Sequence, residues 1–452
     1  MATDNPPDAN AQHLVILVHG LWGNPIHLKH LRETLAKKHE GEGVYIYIPS
    51  SNKDNFTYDG IEVGAERLTN EVEAKLKELE AAGSRIRKIS VAGYSLGGLI
   101  ARYVVGLLYK AGVFDDIQPM NFTTFATPHL GVRTPRNGYR AQTWNFLGSR
   151  TLSTSGQQMF LVDNFRGTGR PLLAVLADPN SIFVRGLSMF KHKSVYANTI
   201  NDRSVPYYTS AISRVDPFVD LDAIEVHYLP GQDQPVILDP ENPVEPRKEK
   251  EEKELSWAER YIMTQRTRES LPFYTILFSL LPVAVPLFLV NAGYQTYKSA
   301  QRVKLHEAGN LVDLKRYRIP LLEETQAVQD RMVERLAADR SQESYLPTPP
   351  PEPAASSASS SHSDSKSASS SESTPAREQH AKTAHPPWPT LALTDDQFAM
   401  IDSLDAHVGF TKYPCHIQKV RHTHAAIVMR MEKESFSEGR EVSRHWIEGF
   451  EV

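Results

Sequence analysis

Apolar positions along the first half of the chain follow two rhythms. His13 to Val18 (HLVILV) is an unbroken apolar run, rich in β-branched residues, which marks a strand buried on both faces. Leu28, Leu31, Leu35 and Ala36 then recur at helical spacing, and Val44 to Ile48 (VYIYI) reads as a second strand. A Glu- and Lys-rich helix is predicted over residues 62–82, closing at Gly83, a residue suited to a C-terminal cap. Ile86 to Ala92 is the next strand, and Leu99, Ala101, Val104, Val105 and Leu108 place a helix after Ser95. Further strands are predicted at Asn121 to Ala126 and Ser194 to Ile200. Strands and helices alternating with short links predict an α/β fold with a doubly wound, mostly parallel sheet.

Past about residue 213 the rhythm stops. Glu245 to Glu254 is a mixed-charge run, the usual composition of a solvated helix or linker. Ser270 to Tyr297 then carries no charge at all, with an apolar core from Leu271 to Val290. Amphipathic helices are predicted around residues 295–308 and 321–338. Tyr345 to Thr390 turns to proline and serine, with 12 serines in the 18 residues from Ser356 to Ser373. Such a composition buries too little apolar surface to offset chain entropy, so a disordered linker is predicted there. The expected organisation is a first part of the core over 13–212 and an insertion or lid over 213–344, with an apolar membrane segment at 271–292. The linker at 345–390 follows, and then a second part of the core over 391–452.

Composition narrows the function classes. Of 452 residues, 50 are Lys or Arg and 54 Asp or Glu, a net charge of -4 that supplies no electrostatic reason to expect nucleic acid. The single cysteine, Cys415, excludes an internal disulfide and a thiolate zinc cluster, and reads as a small core hydrophobe. Met1 to Gln12 is polar, without the apolar run of a secretory signal, and Ala2 stands where myristoylation needs glycine. The expected compartment is intracellular and reducing.

Gly93-Tyr94-Ser95-Leu96-Gly97 lies between a predicted strand and a predicted helix. This G-x-S-x-G turn exposes a serine hydroxyl at the top of a sheet, with a helix N-terminus beside it to favour negative charge. The plainer alternative is a structural turn. An acyl-transfer site also needs oxyanion donors, and the N–H of Leu96 is the first. Leu21, in His19-Gly20-Leu21-Trp22-Gly23 directly after the first strand, is the candidate for the second.

The order serine, acid, histidine directs the search for partners. Asp202 follows a predicted strand, whereas Asp163, Asp178 and Asp216 do not. Among later histidines, His362, His380 and His385 fall in the linker, His306 sits on a charged helix and His445 near the end. His227, His407 and His416 have no link to a helix start. His422 and His424 precede an apolar run, and His424 is favoured because Ala425 and Ala426 allow close backbone packing. His129 precedes the acid and is expected to shape the site wall.

The strings VHGLWG, AGYSLGG, FATPHLG, ANTINDRSVP and THAAI resemble those of the lipase-like serine esterases of fungi, a family that includes a lipid-droplet phospholipase. The resemblance covers roughly residues 13–215 and 391–450. It implies an α/β-hydrolase fold and activity on acyl-lipid esters, with Ser95, Asp202 and His424 at the matching catalytic positions. No metal or cofactor is implied. Acyl transfer to an alcohol or lysolipid is the chemical alternative, and a membrane-tethering scaffold with a relic hydrolase fold the non-enzymatic one.

The apolar segment has a topological constraint. Twenty residues at about 1.5 Å each would span about 30 Å of hydrocarbon, yet one crossing would separate Ser95 and Asp202 from His424. Arg266 and Arg268 precede the segment and Lys298, Arg302 and Lys304 follow it, so both ends are assigned to the cytoplasmic side. Pro282 and Pro286 favour a kink. The expectation is a hairpin or kinked helix entering one leaflet, at a lipid droplet or the cytoplasmic face of the endoplasmic reticulum. The alternative is a soluble lid helix.

Overall fold

A computed structural model of the chain describes residues 10–133, 152–247, 286–287, 289–309, 312, 314–317 and 388–452. Six parallel strands form the central sheet: β1 (His13–Val18), β2 (Val44–Tyr47), β3 (Lys88–Tyr94), β4 (Gln118–Phe125), β5 (His192–Asn198) and, after a long excursion, β8 (Thr411–Cys415). Their spatial order is β2-β1-β3-β4-β5-β8. Chain direction across the sheet reverses between β1 and β3, so the loops leaving these two strands open a crevice at their carboxyl ends. Between β5 and β8 lies a small antiparallel pair, β6 (Ile224–Val226) and β7 (Val244–Pro246).

Alternation along β1 explains why the apolar run is unbroken. Leu14, Ile16 and Val18 face a layer built from α2 (Ile61–Ala81), α3 (Leu96–Lys110) and α4 (Ile182–Ser188), together with α6 (Asp395–His407). Val15 and Leu17 face the other layer, built from α1 (Lys29–Lys38) and α7 (Gly439–Glu448). One further helix, α5 (289–307), lies outside the first layer. Tyr196 of β5 is in register with Phe125 and Tyr413, and Trp446 of α7 meets Phe125 edge-on, so the last helix closes the face that β8 widens.

Element boundaries differ from the expected ones where pairing outweighs local hydrophobicity. β3 runs to Tyr94, two residues beyond the apolar run, because Gly93 pairs with Val18 and Tyr94 with Phe125. β5 starts at His192 because that polar residue pairs with Asn121. The region after 213 is also more ordered than its lost rhythm implied. Residues 236–238 run along the outer edge of β8, with Leu238 N donating to Pro414 O (2.9 Å) and His416 N to Val236 O (2.7 Å). That contact covers an edge which would otherwise offer unpaired backbone groups.

Residues 271–285 and 288 of the apolar segment, the helix expected at 321–338 and residues 345–387 of the linker lie outside the described residues. Among the described residues no helix is long and apolar enough to cross a membrane.

Candidate active site

Ser95 sits at φ 57° and ψ −129°, a left-handed position that a serine adopts only under constraint. Its neighbours supply the constraint. Ser95 N donates to Phe125 O (2.9 Å), and Thr127 Oγ1 donates to Ser95 O (3.0 Å). The flanking glycines are required by close approach. A Cβ on Gly97 would lie 2.3 Å from Val18 O, and one on Gly93 would lie 2.4 Å from Gly98 Cα. The G-x-S-x-G spacing thus reflects strand, turn and helix packed in contact.

The loop after β1 passes directly over this turn, and a Cβ on Gly20 would lie 2.7 Å from Ser95 Cβ. Burial lowers the pKa of His19, keeping its ring neutral, and its Nδ1–H donates to Gly20 O (3.1 Å). Trp22 is held at φ 53° with its N–H donating to Thr57 Oγ1 (3.1 Å). Neither Leu21 N–H nor Leu96 N–H has a partner among the described residues, and Leu96 opens α3. Two free donors therefore flank the Ser95 turn.

Asp202 and His424 reach Ser95 from distant parts of the chain. His424 Nδ1 lies 2.8 Å from Asp202 Oδ2, and His424 Nε2 lies 3.0 Å from Ser95 Oγ. With Nδ1–H donating to the carboxylate, Nε2 is left to accept the serine proton. Burial alone would raise the Asp202 pKa. The adjacent imidazole, with hydrogen bonds from Val205 N–H and the Asn198 amide, outweighs that and holds the carboxyl below its ordinary range. Asp202 is therefore a carboxylate at neutral pH.

Two further residues, which spacing alone does not single out, position the histidine. Tyr94 donates its hydroxyl to His424 O (2.8 Å), and Thr423 Oγ1 donates to Ile200 O (2.9 Å). One is the variable residue of the G-x-S-x-G turn and the other adjoins the histidine, so position, not residue type, is the only sequence signal for either. His422 precedes this helical turn and takes no part. His129 does not line the site as expected. It is fully buried beneath the site, against Thr124 Oγ1 (2.9 Å) and Arg102, because its ring points into the core. His306 is also buried, on α5 against Glu66 Oε2 (2.6 Å), although its charged surroundings in sequence suggest a solvated helix.

Residues 8–213 match the family described as "Putative serine esterase (DUF676)". This segment, somewhat under half of the chain, is similar to that family. The matched segment holds Ser95 and Asp202 and ends well before His424, which returns from the carboxyl-terminal part. Among relatives, "Putative lipase ROG1" of Saccharomyces cerevisiae is 31% identical over 238 residues, covering 52% of this chain and 33% of that protein. "Putative lipase C4A8.10" of Schizosaccharomyces pombe is 31% identical over 211 residues, covering 44% of this chain and 26% of that protein. The chain spans about a third or less of the length of these curated relatives. Among solved structures, phospholipase PlaB from Legionella pneumophila in complex with thio-NAD overlaps 44% of this chain and 41% of its own, at 16% identity and a TM-score of 0.26. That overlap is too loose to bear on this chain's chemistry. The fold stands on the chain's own sheet order, with the serine turn after β3, the acid after β5 and the histidine after β8, the arrangement of an α/β hydrolase.

Proposed function

We propose that this protein hydrolyses the acyl esters of lipids through an acyl-enzyme on Ser95. The observation that carries the reading is the continuous hydrogen-bonded line from Ser95 Oγ through His424 to Asp202, on a serine held at φ 57°. His424 Nε2 takes the hydroxyl proton as Ser95 Oγ attacks the ester carbonyl, and Asp202 stabilises the resulting imidazolium. The N–H groups of Leu21 and Leu96 hold the oxyanion, each such donor being worth on the order of 10²-fold in rate. His424 then returns the proton to the leaving alcohol. Water attacks the acyl-enzyme with the same base.

Lipid as the ester's source is supported by the relatives named as lipases and by apolar surface around the site. Trp22, Ile26 and Phe56 are exposed close to the loop over Ser95. The inner stripe of α5 is largely polar, including Gln295, Thr296, Ser299, Arg302 and His306, while Leu289, Val290, Tyr294 and Tyr297 are exposed. A helix with its apolar residues turned outward fits a lipid surface, and it continues from the uncharged run at 270–297. The reading therefore places the enzyme on a membrane or lipid-droplet surface through 271–292, at a droplet or the cytoplasmic face of the endoplasmic reticulum. Its substrate class spans phospholipid and neutral lipid esters.

The test is Ser95→Ala in the full chain. Fluorophosphonate labelling and ester turnover should both vanish, with the melting temperature close to wild type. Labelling that persists would refute the assignment, and product analysis with added lysolipid separates hydrolysis from transfer.

A further inference from the structure

The loop that carries Leu21 does not hold its shape alone. Trp22, the next residue, sits at φ 53°, and a non-glycine residue there needs outside contacts to stay. Those contacts come from the 3-10 turn Asp54–Tyr58. Thr57 Oγ1 accepts from Trp22 N (3.1 Å), Asp54 N donates to Gly23 O (2.8 Å), and the Tyr58 ring lies 6.3 Å from that of Trp22.

The turn is in turn gripped by Arg302 of α5. Its Nε and Nη2 fork onto the Asp59 carboxylate at 2.9 and 2.7 Å, and Nη2 also donates to Asn55 O at 2.9 Å. Its guanidinium lies over the Phe56 ring at 5.0 Å. One side chain therefore holds the turn at Asn55 and Phe56 and at Asp59, the residue that follows it. A guanidinium supplies that combination of fork and flat face, and an ammonium does not.

We propose that Arg302 is a positioning residue for the esterase reaction, setting the Leu21 N–H through the turn Asp54–Tyr58. This rests on the reading of Leu21 as an oxyanion donor. The role differs from holding the fold. Asp59 is fully buried but also pairs with Arg67 (2.8 Å), so its charge keeps a partner when Arg302 is removed. The inner stripe of α5 buries mostly small or polar side chains, such as Ala292, Ser299 and His306. Its grip on the core therefore depends heavily on the Arg302 and His306 contacts rather than on apolar area. Because α5 begins inside the uncharged run, contact with a lipid surface and the geometry of the oxyanion loop are joined through one side chain.

The experiment uses the full-length protein and a soluble short-chain ester, p-nitrophenyl butyrate, so that surface binding plays no part. Arg302→Gln should lower kcat roughly ten- to hundredfold, the scale of a misplaced donor, with KM within about twofold. Arg302→Lys should recover part of the loss, and Lys304→Gln, exposed on the same helix, should match wild type. Thr57→Val, which cuts the link to Trp22, should lower kcat similarly, and its effect should not add to that of Arg302→Gln. Wild-type kcat in Arg302→Gln, or losses that add independently with Thr57→Val, would overturn the proposal. If Arg302→Gln does not fold, Arg302→Lys with Thr57→Val decides the same question. A wild-type protein that neither turns over the ester nor takes fluorophosphonate label would instead sink the esterase reading, which separates the two failures.

Discussion

His13 shows how strongly a single buried position ties this fold to pH. It is 1% exposed in β1, with Nε2 against Ser90 Oγ at 2.7 Å, and burial, with the nearby Lys88 and His39 charges, lowers its pKa from 6.5 to about 4. The folded state thus holds the ring neutral while the unfolded chain takes up a proton first. Its contribution is fully present above pH 6.5 and is lost as pH falls towards 4, by up to about 3 kcal/mol. Urea midpoints should fall between pH 6.5 and 4.5, and His13→Gln should flatten that fall while lowering stability at pH 7.5. Parallel slopes in the two proteins would rule His13 out. Residue identity was a good guide at Ser95, where glycines at 93 and 97 announce a close-packed turn. It was a poor guide at His129 and His306, because whether a histidine faces solvent, site or core depends on elements far away in sequence.

At the scale of elements, α5 is the part whose pattern runs against the usual rule. A helix packed on a domain turns its apolar stripe inward, yet here Tyr294, Tyr297, Leu289 and Val290 are exposed. On the proposed reading these residues meet lipid. Replacing Tyr294 and Tyr297 together by Ser should reduce flotation with phosphatidylcholine vesicles several-fold, while kcat on p-nitrophenyl butyrate stays at the wild-type level. Equal flotation of both proteins would remove α5 from the surface contact. The amphipathic helix expected at 295–308 is present in 289–307, with a largely polar stripe turned toward the first layer. Arg302 and His306 bind Asp59 and Glu66, partners more than 200 positions earlier in the chain.

Across the whole molecule, the sheet is completed only by residues beyond 388. β8 pairs along β5 from Thr411 to Cys415, and α7 covers Phe125 and Tyr196 with Trp446 and Val442. A chain ending at residue 344 would leave the β5 edge and that apolar face uncovered. It should be insoluble, and co-expression of 388–452 should restore soluble protein, measured as the supernatant fraction. Soluble, monomeric 1–344 alone would show that the two parts do not depend on each other.

The periodicities of 2.0 and 3.6 residues, the buried parallel strands and the serine turn were legible from the chain itself. Each rests on local rules: side-chain alternation, helix spacing, and glycine where backbones touch. The support of His424 by Tyr94 and Thr423 depends on contacts between residues 223 and 330 positions apart. So does the clamp of Arg302 on the turn beside Trp22, 243 positions from Asp59. Local pattern carries no record of which distant elements meet, and only the folded chain brings them within hydrogen-bonding distance.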